Sequence, residues 1–417
     1  MIKKIREKSY SFLRKTQKFT ETDNVYIAKH GTYLTLGNFI TMAAAFLFSV
    51  AVARLLPKEI YGQYKYILSL VALISITSLQ GINTAVVRGV AQGFEKTVKQ
   101  GFKTKLKWSL LGSLISLGLG IYFMIQGNPT FSFSFLIVAI FLPLTESGRI
   151  YQSYLDGKKI FNKRVKYTTI VRILSTIALI ITLLLTKKLI ILILVYFLSE
   201  TIFINYFLLR TLKKYPTNNK QDNQAINYGK HLSLMSVINT VSQNLDMILV
   251  FNLLGPVQLA VYSFAVLPIK QLRKPFLIIK ELAFPKFSVR SNKDIKRALF
   301  KKLLKTTSLI IVPLIIIYII FAPYLYGIFF PQYMDSVFYS RIFSLDLLIF
   351  PASMMALVLQ AKKKTAELYK INALNPIVQI ALLILLVPIY GILGIILAKL
   401  LSNMFYSIIV YLFFKHI

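Results

Sequence analysis

Residues 189–209 read LIILILVYFLSETIFINYFLL. Only Ser199, Glu200, Thr201 and Asn205 break an otherwise apolar and aromatic run. About 20 such residues, rising about 1.5 Å each as a helix, cross a hydrocarbon core of about 30 Å. Comparable blocks recur along the chain. Strands of a membrane barrel would alternate polar and apolar residues over about ten positions. These blocks do not alternate, so the fold class read from them is all-α and integral to a membrane. The whole sequence agrees: its 417 residues are 56% hydrophobic. A mean hydropathy of +0.64 leaves too little polar residue to cover two or three soluble domains.

Twelve spans are predicted. In the first half they run Gly31–Leu56, Tyr61–Val87, Leu106–Ile125, Phe131–Leu155, Tyr167–Thr186 and Leu189–Leu212. In the second half they run His231–Leu254, Leu259–Ala283, Leu303–Ile328, Ser336–Leu359, Leu368–Val387 and Gly391–Phe414.

The formal net charge is +35, and the basic residues lie mostly between the blocks. One set of loops carries Lys96, Lys99 and Lys103, then Lys158, Lys163 and Arg164. The same set continues with Arg210, Lys213 and Lys214, then Lys286, Arg290 and Lys293, then Lys362 to Lys364. The alternate loops hold only Lys58, Lys187 and Lys188. The positive-inside rule therefore places the first set, and both termini, in the cytoplasm. It also explains the charge without nucleic acid as a partner.

The chain has no cysteine, and His30, His231 and His416 lack metal-ligand spacing, so neither a metal nor a cofactor is expected. Residues 1–30 form a basic tail rather than a cleavable signal, because Arg14, Lys15, Lys18 and Lys29 interrupt it. Ile2, Ile5, Phe12 and Leu13 suit one side of a helix lying on anionic lipid; a mobile tail is the alternative.

Gly31 and Gly229, Leu55 and Leu253, and Tyr64 and Tyr262 share one offset of 198 residues, close to half the chain. Six crossings return the chain to its starting side, so the halves read as parallel repeats. The expected organisation is two six-helix lobes, residues 31–212 and 231–417, around a central cavity. Residues 213–230, polar and rich in Asn and Gln, are the linker.

Two stretches then carry a family resemblance. The first is ARLLPKEIYGQY, residues 53–64, followed by LQGINTAVVR, residues 79–88. The second is NLDMILV, residues 244–250, with Val261-Tyr262-Ser263 and the later Tyr390-Gly391-Ile392-Leu393-Gly394. Together they resemble Wzx-type polysaccharide flippases of the MOP exporter superfamily. Pro57 stands where that family usually has Gly. The resemblance implies flipping of undecaprenyl-pyrophosphate-linked oligosaccharide across a bacterial cytoplasmic membrane for capsule, exopolysaccharide or O-antigen. It further implies membrane lipid, a polysaccharide polymerase and glycosyltransferases as partners, and a proton or sodium ion if a gradient drives transport.

Ionisable groups at membrane depth are costly and usually face a cavity. The expected cationic cavity comprises Arg149, Lys270, Arg273, Lys399, Arg54 and Arg172. Lys270, Arg273, Lys274 and Lys280 fall on one face of their helix at 100° per residue. Arg54, Arg88, Lys280 and Arg341 lie near span ends, where snorkelling to the interface is the plainer reading. Glu146 and Arg149, three apart, are in pairing range. Asp246, Glu200 and Glu146 are the candidates for ion coupling. Asp246 ranks first because its own helix offers no cation three or four residues away, and Asn239 and Gln243 extend a polar stripe from it.

No nucleophile–base set, phosphate-cradling Gly loop or metal motif is found, so a transporter is expected rather than an enzyme. A multidrug or ion antiporter of the same superfamily would export mostly cations and suits this excess of Lys and Arg poorly. A lipid II-type flippase is nearer, although resembling proteins usually have fourteen spans. A membrane polymerase would need a large outer loop, and every alternate loop is short. Pro143, Pro268, Pro313 and Pro376 are candidate hinges.

Overall fold

The computed structural model describes residues 24–415, apart from 223, 290–302, 304 and 363. The apolar positions of the N-terminal tail and the basic loop from Arg290 to Arg297 lie outside the described residues. Among the described residues all regular structure is helical. The first half contributes α1 (Asn24–Leu55), α2 (Lys58–Ile74), α3 (Gly81–Ala91), α4 (Thr97–Ile125), α5 (Pro129–Gly148), α6 (Ile150–Gly157), α7 (Phe161–Leu185) and α8 (Leu189–Lys214). The second contributes α9 (Ala225–Leu254), α10 (Pro256–Val289), α11 (Val312–Phe329), α12 (Ser336–Phe343), α13 (Phe350–Ala361) and α14 (Thr365–Lys415).

Among the described residues nine helices are long and apolar enough to cross a membrane, ten with the bent pair formed by α2 and α3. Helix α14 is 51 residues long but breaks at Gly391 (φ 58, ψ −131), so it holds two crossings. Helix α10 is 34 residues long, and its polar and basic residues keep it out of the apolar set. The architecture is thus close to the twelve crossings expected.

Helix breaks have local causes. The second crossing bends by 47° between α2 and α3. There Ser75 and Ser78 donate to the Val71 and Ser75 carbonyls, and Leu79 takes a left-handed conformation (φ 54). Hydroxyls that bond back into a helix loosen it at that turn. Asn128 caps α5 by accepting from the Phe131 N–H at 3.1 Å, with Pro129 at the first helical position. Pro57, the departure from the family pattern, precedes α2 in an extended conformation (ψ 143). The expected hinges Pro143 and Pro376 lie inside continuous helix, and α14 breaks at Gly391, where the last expected span begins.

Within the first half α4 packs on α5, α1 on α7, and α5 on α8; within the second, α13 and α9 pack on α14, and α12 on α10. Across the halves α2 and α3 pack on α9, and α2 on α10. Glycine permits the closest approaches. A Cβ at Gly62 would overlap the Pro256 carbonyl, and one at Gly81 would overlap the Gly229 and Ser233 backbone. Gly81 N–H donates to Ser233 Oγ at 2.9 Å.

The two ends of the bundle differ. At the end with few basic loop residues, contacts between the halves seal the bundle. Lys58 Nζ pairs with Asp335 Oδ2 at 2.7 Å, and Arg54 Nη2 donates to the Ile328 carbonyl at 2.6 Å. Tyr61, Phe264 and Tyr333 pack together there, Phe264 and Tyr333 stacked with centroids 3.7 Å apart and Tyr61 edge-on to Tyr333. At the basic face the segment after α8 lies on the first half. Lys96 N–H donates to the Lys220 carbonyl at 3.1 Å, and Asn218 Nδ2 donates to the Gly93 carbonyl at 2.9 Å. Glu95 accepts from Lys158 Nζ at 2.7 Å and from the Asn218 N–H at 3.2 Å. Burial alone would raise the Glu95 carboxyl, but the Lys158 and Asn218 donors hold it below the usual carboxylate range.

Candidate functional site

A cavity of about 360 Å³ lies between the halves beneath the sealed end. Both halves line it, through α1, α2, α7 and α8 on one side and α9 and α10 on the other. Four cations reach its wall: Lys65 and Arg172 from the first half, Lys270 and Lys274 from the second. Among the described residues no carboxylate lines it. Counting about 1.5 Å per residue from the sealed end, Lys65 lies about 10 Å deep and Arg172 and Lys270 about 20 Å deep. The rest of the wall carries tyrosines and hydroxyls. Tyr64 and Tyr196 stand edge to face at 6.4 Å, and Lys65 Nζ lies 5.5 Å from the Tyr61 ring centre. Ser175 Oγ, Ser263 Oγ and Gln271 Oε1 are buried on this wall with no hydrogen-bond partner.

The described carboxylates deep in the helices are elsewhere, and each is held. Asp246, wholly buried on α9, accepts from Lys399 Nζ and, at 2.5 Å, from Tyr262 Oη. Asp346 accepts from Arg273 Nη1 at 2.7 Å and from Asn403 Nδ2 at 2.5 Å. Glu200 accepts from Arg149 Nη2 at 2.9 Å, and Glu146 lies 3.7 Å from Arg149 Nε. Ion pairing thus sorts the intramembrane cations. Arg149, Arg273 and Lys399 meet carboxylates inside the fold. Lys65, Arg172, Lys270 and Lys274 have no ion pair among the described residues.

Of the residues expected in the cavity, Lys270 and Arg172 line it. Arg273 does not, because Asp346 draws it aside; the cationic face of α10 splits, with Lys270 and Lys274 on the cavity and Arg273 off it. Lys399 is bound to Asp246, and Arg54 belongs to the sealed end. Arg149 lines a second cavity of about 310 Å³ that shares Arg172 and Tyr196 with the first. Asp246 has no cation three or four residues away on its own helix, but Lys399 meets it from 153 residues away in sequence, beyond any same-helix spacing rule. Glu200 is likewise met by Arg149, from another helix. The polar stripe divides, with Asp246 buried, Asn239 half-buried and Gln243 exposed.

Lys65 is the residue sequence reasoning missed. It sits seven positions into α2 inside an apolar block, so the depth rule that selects Lys270 selects it too. The expected repeat pairs Tyr64 with Tyr262. Both are buried, Tyr64 on the cavity wall and Tyr262 on Asp246.

No curated protein is significantly similar in sequence to this chain. Solved structures share its fold. An inward-facing multidrug resistance MATE family transporter of the MOP superfamily superposes with a TM-score of 0.63 at 13% identity, covering 90% of this chain and 94% of that one. The lipid II flippase MurJ, in an inward closed conformation, gives 0.64 at 16% identity, covering 91% and 87%. A MOP superfamily transporter from Pyrococcus furiosus, described as having a binding pocket of reverse polarity, gives 0.57 at 13% identity, covering 93% and 95%. At such identities the likeness shows the fold alone. The family model for polysaccharide biosynthesis protein matches residues 27–272, more than half of the chain, and so shows that this chain belongs to the polysaccharide biosynthesis protein family.

Proposed function

We propose that the chain flips undecaprenyl-pyrophosphate-linked oligosaccharide across the cytoplasmic membrane, by alternating access between two lobes, with its basic face in the cytoplasm. The observation that carries this reading is the cavity's charge: among the described residues, four cations without ion pairs, two from each half, and no carboxylate on the wall. Cations held in a low-dielectric cavity favour an anionic ligand, and a pyrophosphate offers several negative oxygens to them. Arg172 suits a bidentate grip, and the lysines act as point charges. A pyrophosphate bridging Lys65 and Arg172 to Lys270 and Lys274 would tie the halves together in the loaded state. The tyrosines and unpartnered hydroxyls of the wall suit the glycan.

A cationic drug would be repelled by the same wall, which disfavours a multidrug exporter. Ion coupling through Asp246, Glu200 or Glu146 requires a conformation that parts the carboxylate from Lys399 or Arg149, since an ion-paired carboxylate has low affinity for a proton or sodium ion.

The test is complementation. In cells lacking the gene, the wild-type chain restores surface polysaccharide. Lys65→Gln with Arg172→Gln should accumulate in the membrane yet fail to restore it. Normal polymer from that double variant would overturn the reading.

A further inference from the structure

We propose that the second cavity is a sugar subsite, which takes the uncharged ring nearest the pyrophosphate of the lipid-linked glycan. This rests on the pyrophosphate reading of the central cavity and adds to it where the glycan lies.

The cavity holds about 310 Å³, at the small end of the range for ligand sites and suited to one sugar unit. It adjoins the central cavity through Arg172 and Tyr196, which line both. It lies toward the basic face: Thr168 is about 10 Å along α7 from that end, against about 16 Å for Arg172. A ligand with its phosphates on Lys65, Arg172 and Lys270 would therefore extend its glycan into this space.

The chemistry of the lining differs from that of the central cavity. Arg149 is already shared between Glu146 and Glu200, so the site offers paired charge rather than a second phosphate grip. What remains free is hydrogen bonding. Tyr151 is wholly buried, with its ring packed 6.5 Å from Phe207, and its hydroxyl on this cavity makes no hydrogen bond. The Gln152 side chain is its polar neighbour. Arg149 Nε is likewise buried and without a hydrogen bond, although Glu146 is 3.7 Å away. Buried donors are normally satisfied, and two unsatisfied ones on residues that line one polar pocket suit a ligand that accepts hydrogen bonds. A sugar hydroxyl accepts from Tyr151 Oη and Arg149 Nε and donates to Glu200. Thr41, Gln152 and Thr168 complete a wall that mixes donors and acceptors, as a polyol requires.

The test uses the full-length protein in lipid nanodiscs and two probes: undecaprenyl pyrophosphate, and the lipid-linked glycan extracted from cells deprived of this protein. Tyr151→Phe should weaken the glycan probe about 5- to 10-fold, the effect of one neutral hydrogen bond, and leave undecaprenyl pyrophosphate unchanged. Gln152→Leu should act in the same direction. The free Tyr151→Phe protein should melt no lower than wild type, because the hydroxyl removed has no partner to lose. A lowered melting temperature with equal weakening of both probes would make Tyr151 structural and overturn the subsite. Unchanged binding of both probes would leave a water-filled pocket only and overturn it as well. Failure of the wild-type protein to bind undecaprenyl pyrophosphate would instead overturn the pyrophosphate reading, and the subsite with it.

Discussion

Breaking the Asp246–Lys399 pair should show whether it is scaffold. Asp246 is fully buried and the Lys399 side chain is 13% exposed, so neither can turn to water when its partner is removed. Asp246→Asn keeps an acceptor for Tyr262 Oη but leaves the Lys399 ammonium without its anion and with Lys270 close by. Removing one partner of a buried ion pair costs about 3–5 kcal/mol, whereas replacing both with residues of similar size is often neutral. Lys399→Met should cost a similar amount, since burial penalises the stranded carboxylate. The double variant Asp246→Asn with Lys399→Met should recover most of that loss, giving a coupling of about 3 kcal/mol or more in the cycle. Thermal unfolding of the purified variants, followed by the amount of monodisperse protein left after heating, gives the order. Both single variants should melt well below wild type, and the double variant close to it. Singles that melt like wild type, or a double variant that loses the sum of both, would show that the pair is not scaffold.

Other predictions follow from the same geometry. Asn128→Cys, in a chain with no cysteine, should be labelled by an impermeant thiol reagent from outside intact cells, and Asn218→Cys should not; the reverse pattern would invert the topology. Gly62→Val should abolish export without loss of protein, because a side chain there meets the Pro256 carbonyl and blocks closure of the sealed end; Ser263→Cys in that background should gain labelling from outside, and unchanged labelling would argue against a gate. Lys58→Ala should change stability by no more than about 1 kcal/mol, since Asp335 is 69% exposed and water competes for the pair. The Glu95 carboxyl is depressed in the folded chain, so its clamp on the linker is complete above the ordinary carboxylate value and is lost as pH falls through the folded one. Protease cleavage near Asn218 should therefore rise on acidification in wild type and be high at every pH in Glu95→Gln.

The helical membrane architecture was legible because block length and loop charge are properties of contiguous sequence. Residues 189–209 announce a crossing without any knowledge of the rest. The break inside α14 was legible too: the last two expected spans part between Val387 and Gly391, and the backbone turns at Gly391, the residue there that tolerates a positive φ. The site was only half legible. Depth along a helix picks out Lys270, Arg172, Arg149, Arg273 and Lys399 alike. What separates them is which finds a carboxylate, and those partners come from other helices: Asp346 for Arg273, Asp246 for Lys399, Glu200 for Arg149. Same-helix spacing does capture Glu146 with Arg149, the one local pair among them. The orphaned hydroxyl of Tyr151 has no sequence signature, since satisfaction of a hydrogen bond is a property of the packed structure.

On the proposed function, Lys65, Arg172, Lys270 and Lys274 carry a pyrophosphate-linked glycan between the faces of the bundle. The most direct measurement is flipping of the extracted lipid-linked glycan in vesicles reconstituted with the purified chain, read as glycan newly accessible to an impermeant periodate reagent. Wild-type protein should expose the glycan. Replacing Lys65, Arg172, Lys270 and Lys274 together by Gln should abolish the signal, since each charge-assisted contact is worth about 1.5–3 kcal/mol, or roughly 10- to 150-fold in affinity. Flipping by that quadruple variant at the wild-type rate would contradict the claim.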